Sequence, residues 1–115
     1  MSRRLWAVAQ LRVPTESERR LLAHLAKAGG MSTEWLDTVL VSEMNDGGMG
    51  SLRLAPNGID RPERRFGNEV AEFKFDDADG MGVSATLNID QDGAPFELDV
   101  WKYDFRPLIQ MPQFD

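Results

Sequence analysis

Apolar and polar residues alternate through three runs in the second half of the chain, which is the pattern of half-buried β-strands. In the middle run, Val83, Ala85, Leu87 and Ile89 share one register, and the residues between them are polar. Residues i and i+2 of a strand point to the same face, so this run predicts one buried and one solvated face. The neighbouring runs repeat the pattern, with inward positions at Ala71, Phe73, Phe75, Phe96, Leu98 and Val100. We therefore predict strands over residues 69–76, 82–90 and 95–102.

Short acidic segments that end in glycine separate the three runs. Asp79-Gly80 and Asp92-Gly93 supply residues that tolerate positive φ angles, which tight hairpin turns require. We therefore expect the three strands to follow one another as an antiparallel meander.

A helix is predicted before these strands. Thr15 is a suitable N-cap, and Glu18 three residues later completes the sequence of a capping box. Gly29-Gly30 is expected to end the helix. The apolar stripe at helical spacing consists of Leu21, Leu22, Leu25 and Ala28. This pattern predicts a helix over Glu16–Ala28 that packs on the sheet.

The remaining segments complete the predicted fold. Residues 38–44 and 51–55 flank a glycine-rich turn and predict a second hairpin. Residues 56–67 are polar and contain Arg61, Arg64 and Arg65, which predicts an exposed loop. We predict an α+β fold, with a mostly antiparallel sheet of about five strands and one main helix packed on one face. We expect a single domain over residues 1–115, in which residues 1–12 form an N-terminal arm or an edge strand.

The alternation places Trp101 on the polar side of its strand, in step with Glu97 and Asp99, and Tyr103 and Phe105 follow in the same step. Two explanations are open. The rings are buried by a bulge or a covering segment, or they form an exposed patch that binds a partner. The pattern favours burial beneath the N-terminal helix or the C-terminal residues.

Composition narrows the classes of function. The net charge is −6 and the pI is near 4.7, so nucleic-acid binding is disfavoured and a basic protein partner is attracted. The chain has no cysteine, which removes disulfides, thiol nucleophiles and thiolate metal sites. No apolar run approaches the roughly 20 residues of a membrane span. We therefore expect no membrane association, no targeting signal and a cytoplasmic location.

Residue types give little support to catalysis or metal binding. The acidic turns that begin at Asp77 and Asp90 resemble calcium loops, but their twelfth positions hold Asn88 and Trp101 instead of glutamate. Hairpin turns explain these residues better. His24 is the single histidine, which is a poor basis for a catalytic triad or a zinc site. We predict no catalytic, cofactor-binding or metal-binding residues.

Three carboxylates, Glu72, Glu97 and Asp99, are expected on one face of the sheet. Paired carboxylates act as acid and base when a pocket separates their pKa values, but an open polar face is the simpler interpretation. Such a face also suits a cationic protein, because carboxylates steer and an aromatic ring anchors. The candidate partner-binding residues are Glu97, Asp99, Trp101 and Tyr103.

Three segments together resemble a family of small uncharacterised bacterial proteins. They are the VPTE helix start at residues 13–16, the DGGMGSL turn at residues 46–52, and the FELDVWKYDF segment at residues 96–105 with Pro107-Leu108. The resemblance covers most of the chain beyond residue 11, and residues 87–108 are its most specific part. The family looks like a domain of unknown function, so the resemblance implies a compact domain but no reaction and no catalytic residue. The first ten residues lie outside the pattern.

These observations favour a non-catalytic protein-binding module, of the kind represented by small immunity or inhibitor proteins, over an enzyme. Two alternatives remain open. A small-ligand binder or enzyme needs a concave pocket around Glu97 and Asp99 with raised pKa values. A self-associating structural protein would use an unpaired edge strand or residues 101–105 to form a homodimer.

Overall fold

The computed structural model describes residues 10–114, in which one α-helix packs against a five-stranded sheet. The elements are α1 at Glu16–Ala28, β1 at Leu40–Glu43, β2 at Leu52–Ala55, β3 at Phe66–Asp76, β4 at Gly82–Asp90 and β5 at Pro95–Lys102. Short 3-10 helices lie at Glu34–Asp37 and Pro56–Gly58. All strand pairs are antiparallel, and the order across the sheet is β1-β2-β5-β4-β3. The predicted α+β class is confirmed.

The predicted meander and the predicted second hairpin are both present, and β4 and β5 have the predicted bounds. β3 begins earlier than expected, at Phe66, so part of the predicted loop is strand. The order of the strands was not predictable from the alternation. β5 lies between β4 and β2, where Leu98 is opposite Leu52, and this pairing joins the β1–β2 hairpin to the meander in one sheet.

Helix α1 begins and ends as the sequence predicts. The Thr15 hydroxyl accepts a hydrogen bond from the Glu18 amide at 3.1 Å, and the Glu18 carboxylate accepts one from the Thr15 amide at 2.8 Å. These two bonds form the predicted capping box.

The apolar side of α1 and the facing side of the sheet form the core, whose fully buried residues include Leu21, Leu22, Leu25, Val83, Ala85, Leu87 and Leu98. Burial of this apolar surface holds the helix on the sheet.

Arg12 connects the N-terminal part of the described chain to both layers. Arg12 and Val41 of β1 exchange two backbone hydrogen bonds of 2.8 and 2.7 Å. The Arg12 guanidinium also binds both carboxylate oxygens of Glu18, at 2.8 and 2.9 Å. Burial acts to raise the pKa of Glu18, but the bonds from Arg12 and Thr15 outweigh burial and lower it. Of the predicted arm or edge strand over residues 1–12, residues 1–9 lie outside the described residues.

A bulge in β5 changes the environment of Phe96. Asn88 of β4 pairs with Glu97, but the next residue of β4 pairs with Pro95, so the register shifts at Phe96. The alternation predicts that Phe96 joins Leu98 in the core. Phe96 is buried, but its ring lies outside the main core cluster, 4.3 Å below the guanidinium of Arg53.

Candidate functional site

The sheet face opposite α1, which we call the outer face, is polar. Strand pairing places Glu72, Thr86 and Asp99 in one row across β3, β4 and β5. A second row consists of Lys74, Ser84 and Trp101. Glu97 lies in a further row, opposite both Asn88 and Arg53. The three carboxylates expected on one face therefore share the outer face.

An exposed aromatic row, formed by Trp101, Tyr103 and Phe105, lies at one end of the outer face. The exposed fractions of these residues are 48%, 43% and 67%. The Trp101 ring lies edge-on to Tyr103 with centroids 5.4 Å apart, and it is 6.1 Å from Phe105. The burial that the pattern favoured for these rings is therefore wrong, and the alternative of an exposed patch describes the structure.

Gly82 fixes the position of Tyr103 in the aromatic row. The Tyr103 amide donates to the Gly82 carbonyl at 3.0 Å. A Cβ atom at Gly82 would lie only 2.7 Å from Cε2 of Tyr103. The ring therefore lies directly on the backbone of β4, and any larger residue at position 82 would displace it.

Gly82→Ala should move the Tyr103 ring away from β4 without unfolding the sheet. We expect the free energy of unfolding to fall by about 1 kcal/mol, at the lower end of overpacking costs. The cost is low because the added methyl group meets the Tyr103 side chain, which can move, and not backbone atoms. Near-ultraviolet circular dichroism should report the altered Trp101–Tyr103 pair, and urea unfolding the stability. In a Tyr103→Ala background the same substitution should cost much less. An equal cost in both backgrounds would show that the ring is not the obstacle.

The two predicted carboxylates of β5 differ in their surroundings. Glu97 is partly buried, and its carboxylate lies 3.9 Å from Nη1 of Arg53. Burial raises the pKa of Glu97, with Arg53 opposing this effect and Asp99 adding to it. Asp99 is exposed and makes no ion pair within residues 10–114. Asp99 is therefore the more accessible carboxylate for a partner, and Glu97 is largely engaged within the sheet.

Lys102 was not recognised from the sequence, although it belongs to the predicted strand. Its side chain is 1% exposed, and Nζ lies 2.8 Å from Asp77 and 2.7 Å from Asp79. Burial acts to raise the pKa of Asp77, but the bond from Lys102 and the amides of residues 109, 78 and 110 lower it to about 2. The signal was present, because Lys102 is in step with the inward residues Leu98 and Val100.

The prediction that residues 56–67 form an exposed loop is wrong at Arg64, which is buried. Its side chain is 3% exposed, and Nε donates to Asp90 at 2.8 Å. The guanidinium also donates to the carbonyls of Leu54 and Pro95 and to the carboxylate of Asp60. Arg64 therefore fixes this loop to β2 and to the turn between β4 and β5. The neighbouring Arg65 is exposed as predicted.

The hairpin interpretation of the acidic turns is confirmed. Gly80 and Gly93 have φ angles of 83° and 85°, and the buried carboxylates Asp77 and Asp90 are bound by Lys102 and Arg64. Among residues 10–114 there is no cluster of three or more potential metal ligands. Within the same range, no helix has the length and apolar character needed to cross a membrane.

Two clefts of the described chain lie away from the outer carboxylates. A cleft of about 630 Å³ is lined by Ser42, Arg53, Asp60 and Arg61 among others. A second, of about 390 Å³, lies between the glycine-rich turn and residues 108–111. Neither is lined by Glu97 or Asp99, so neither provides the concave pocket that the enzyme hypothesis needs around these carboxylates.

The fold and the outer face define a class of small α+β protein that presents an open sheet face bearing aromatic rings and carboxylates. The chain belongs to the family described as a domain of unknown function, DUF6984, whose model matches residues 11–112. The resemblance to such a domain is thereby confirmed, and the match begins where the first ten residues were expected to end. No curated protein and no solved structure matches the chain.

Proposed function

We propose that this protein is a non-catalytic binding module of the immunity or inhibitor type, whose outer face binds a basic protein partner. The observation that carries the proposal is the aromatic row, Trp101, Tyr103 and Phe105, exposed beside the carboxylate of Asp99. Exposed tryptophan and tyrosine side chains are enriched among the residues that dominate binding energy. A contiguous apolar patch of this kind on a soluble protein commonly marks an interaction site.

The rings of Trp101 and Tyr103 are held in place by the sheet. Trp101 belongs to β5, which pairs with β4 throughout its length and with β2 near Leu98. Tyr103 is held to Gly82 by a backbone hydrogen bond and by ring packing. Side chains that are already ordered lose little conformational entropy when a partner binds, so this surface is suited to tight association.

The charge of the surface determines the kind of partner. Asp99 shares a cross-strand row of the outer face with Glu72, from which Thr86 of β4 separates it, and the net charge of the chain is −6. A positively charged partner would be attracted from a distance by the carboxylates. It would then be held by contacts with the aromatic rings, which lose their water when the partner binds. The electrostatic part of this attraction should weaken as the salt concentration rises.

Affinity capture from a native lysate, with folded variants as bait, tests the proposal. The wild-type chain should retain a stoichiometric basic protein that salt displaces, and Trp101→Ala and Asp99→Lys should each lose at least nine-tenths of it. Glu34→Lys is the matched control, because Glu34 is exposed in the 3-10 helix beside α1 and its substitution changes charge equally. Equal recovery by all four baits, or no specific protein at any salt concentration, would overturn the proposal.

A further inference from the structure

The C-terminal segment, residues 106–114, returns over the body of the protein after β5. Leu108, Met111 and Phe114 are partly buried against the core, and Phe114 stacks on His24 with ring centroids 4.7 Å apart. Ile109, between the first two of these, is 62% exposed. The segment contributes no helix or strand. It therefore lies on the core as an irregular segment with anchoring and solvent-facing side chains.

Backbone atoms of this segment form hydrogen bonds with the body of the protein. The amide of Leu108 donates to the Gly48 carbonyl at 3.0 Å. The next two amides, of Ile109 and Gln110, donate to the two carboxylate oxygens of Asp77 at 2.9 and 3.0 Å. Lys102 donates to the Pro107 carbonyl at 3.4 Å. Four consecutive residues are thus bound through backbone atoms, which is how proteins hold extended peptide ligands.

The connection between β5 and the C-terminal segment is conformationally unfavourable. Phe105 has a φ angle of 63°, a left-handed conformation that residues with a Cβ atom seldom adopt. The turn is closed by a hydrogen bond from the Phe105 amide to the Lys102 carbonyl at 2.8 Å. An extended connection would relieve the unfavourable φ angle, but would carry the segment away from its own chain.

We propose that the surface beneath residues 107–114 is a peptide-binding groove, and that the same segment of a second copy takes this place when two chains exchange their segments. Every contact with the groove is the same in the exchanged form, and Phe105 is free to become extended. Reciprocal exchange closes a two-fold dimer. Docking within one chain benefits from a high effective concentration, so the dimer should form at high protein concentration. This inference does not require the function proposed for the outer face, although Phe105 belongs to both the connection and the aromatic row.

The absence of cysteine from the chain allows a direct test by disulfide trapping. A Cβ atom at Gly48 would lie 3.3 Å from the Cβ of Pro107, close to the separation found across disulfides. Copies carrying Gly48→Cys are mixed with copies carrying Pro107→Cys at high concentration, equilibrated and oxidised. The control mixture pairs Pro107→Cys with Gly93→Cys, because Gly93 has a similar φ angle of 85° but a Cβ atom there would have no neighbouring atom within 4 Å.

Exchange predicts at least a tenfold excess of the Gly48→Cys/Pro107→Cys heterodimer over the control heterodimer. The double variant with both cysteines in one chain should oxidise within the monomer, which checks the docked geometry. The proposal is overturned if the mixed copies give no more heterodimer than the control. It is equally overturned if the double variant does not form the disulfide within one chain, because the segment then does not dock as the structure shows.

Substitutions of Phe105 provide a second test, read as the dimer fraction in sedimentation experiments. Phe105→Pro should raise the dimer fraction several-fold, because proline cannot adopt a positive φ angle. Phe105→Gly should lower it, because glycine adopts this conformation readily. If the aromatic row itself formed the dimer, both substitutions would remove the same ring and both would lower the fraction. That shared decrease would contradict exchange.

Discussion

Arg64→Met is expected to destabilise the protein by about 3–5 kcal/mol, the cost of removing one partner from a buried ion pair. Asp90 would remain in a site where its side chain is 0% exposed, without the cation that neutralises it. The carbonyls of Leu54 and Pro95 would also lose a donor, and unsatisfied buried acceptors add to the cost. Urea unfolding followed by far-ultraviolet circular dichroism measures the change.

The adjacent residue supplies the control for this experiment. Arg65→Met removes the same charge from an exposed position and should alter stability by no more than about 0.5 kcal/mol. The double variant Arg64→Met/Asp90→Asn should be more stable than the sum of the single effects predicts, because no charge is left unpaired. Similar losses for Arg64→Met and Arg65→Met would show that Arg64 acts only through the net charge.

Asp77→Asn is expected to change how stability depends on pH. The pKa of Asp77 is about 2 in the folded protein, against an ordinary value of 3.8. The unfolded chain therefore binds more protons between these values, and the stabilisation is complete above about pH 4 and is lost as the pH falls towards 2. The variant should be less stable at pH 7, and its curve should converge with that of the wild type by about pH 2. Urea unfolding at a series of pH values gives both curves.

Asp76→Asn is the matched control, because it removes the same charge from the neighbouring exposed residue. This control should stay within about 0.5 kcal/mol of the wild type at pH 7. Hydrogen exchange adds a local readout: the amides of Ile109 and Gln110, which bind Asp77, should exchange at least tenfold faster in Asp77→Asn. Parallel pH curves for the wild type and Asp77→Asn would contradict the assigned role.

The elements of the fold were predictable because local signals decide them. The capping box of Thr15 and Glu18 fixes the start of α1, and period-two alternation fixes β4 and β5. The position of β5 beside β2 was not predictable, because apolar alternation specifies which face of a strand is buried but not its neighbour. The Phe96 bulge was missed because it lies at the start of β5, where only Pro95 precedes it in the strand and the alternation has no earlier positions to reveal the shift.

The candidate surface was predictable in outline, but the buried charges were not. Alternation correctly placed Trp101 and Asp99 on the same side of β5. The exposure of Trp101 depended on where the C-terminal segment lies, which is a question of long-range packing. Residue type alone favours surface positions for Lys102 and Arg64, because isolated cations are rarely buried. The buried carboxylates that they bind, Asp77 and Asp90, lie 25 and 26 positions away in sequence, so no local pattern predicts these two pairs.

The position of β5 in the sheet also sets the order in which the protein can be completed during synthesis. The β1–β2 hairpin emerges first, but its neighbour in the sheet is the last strand to be made. At ribosomal rates of about 5–20 residues per second, the hairpin waits several seconds before β5 can join it to β4. Such late, long-range closure slows folding. A nascent chain halted before Pro95 would therefore expose two hairpins, β1–β2 and β3–β4, that no strand joins.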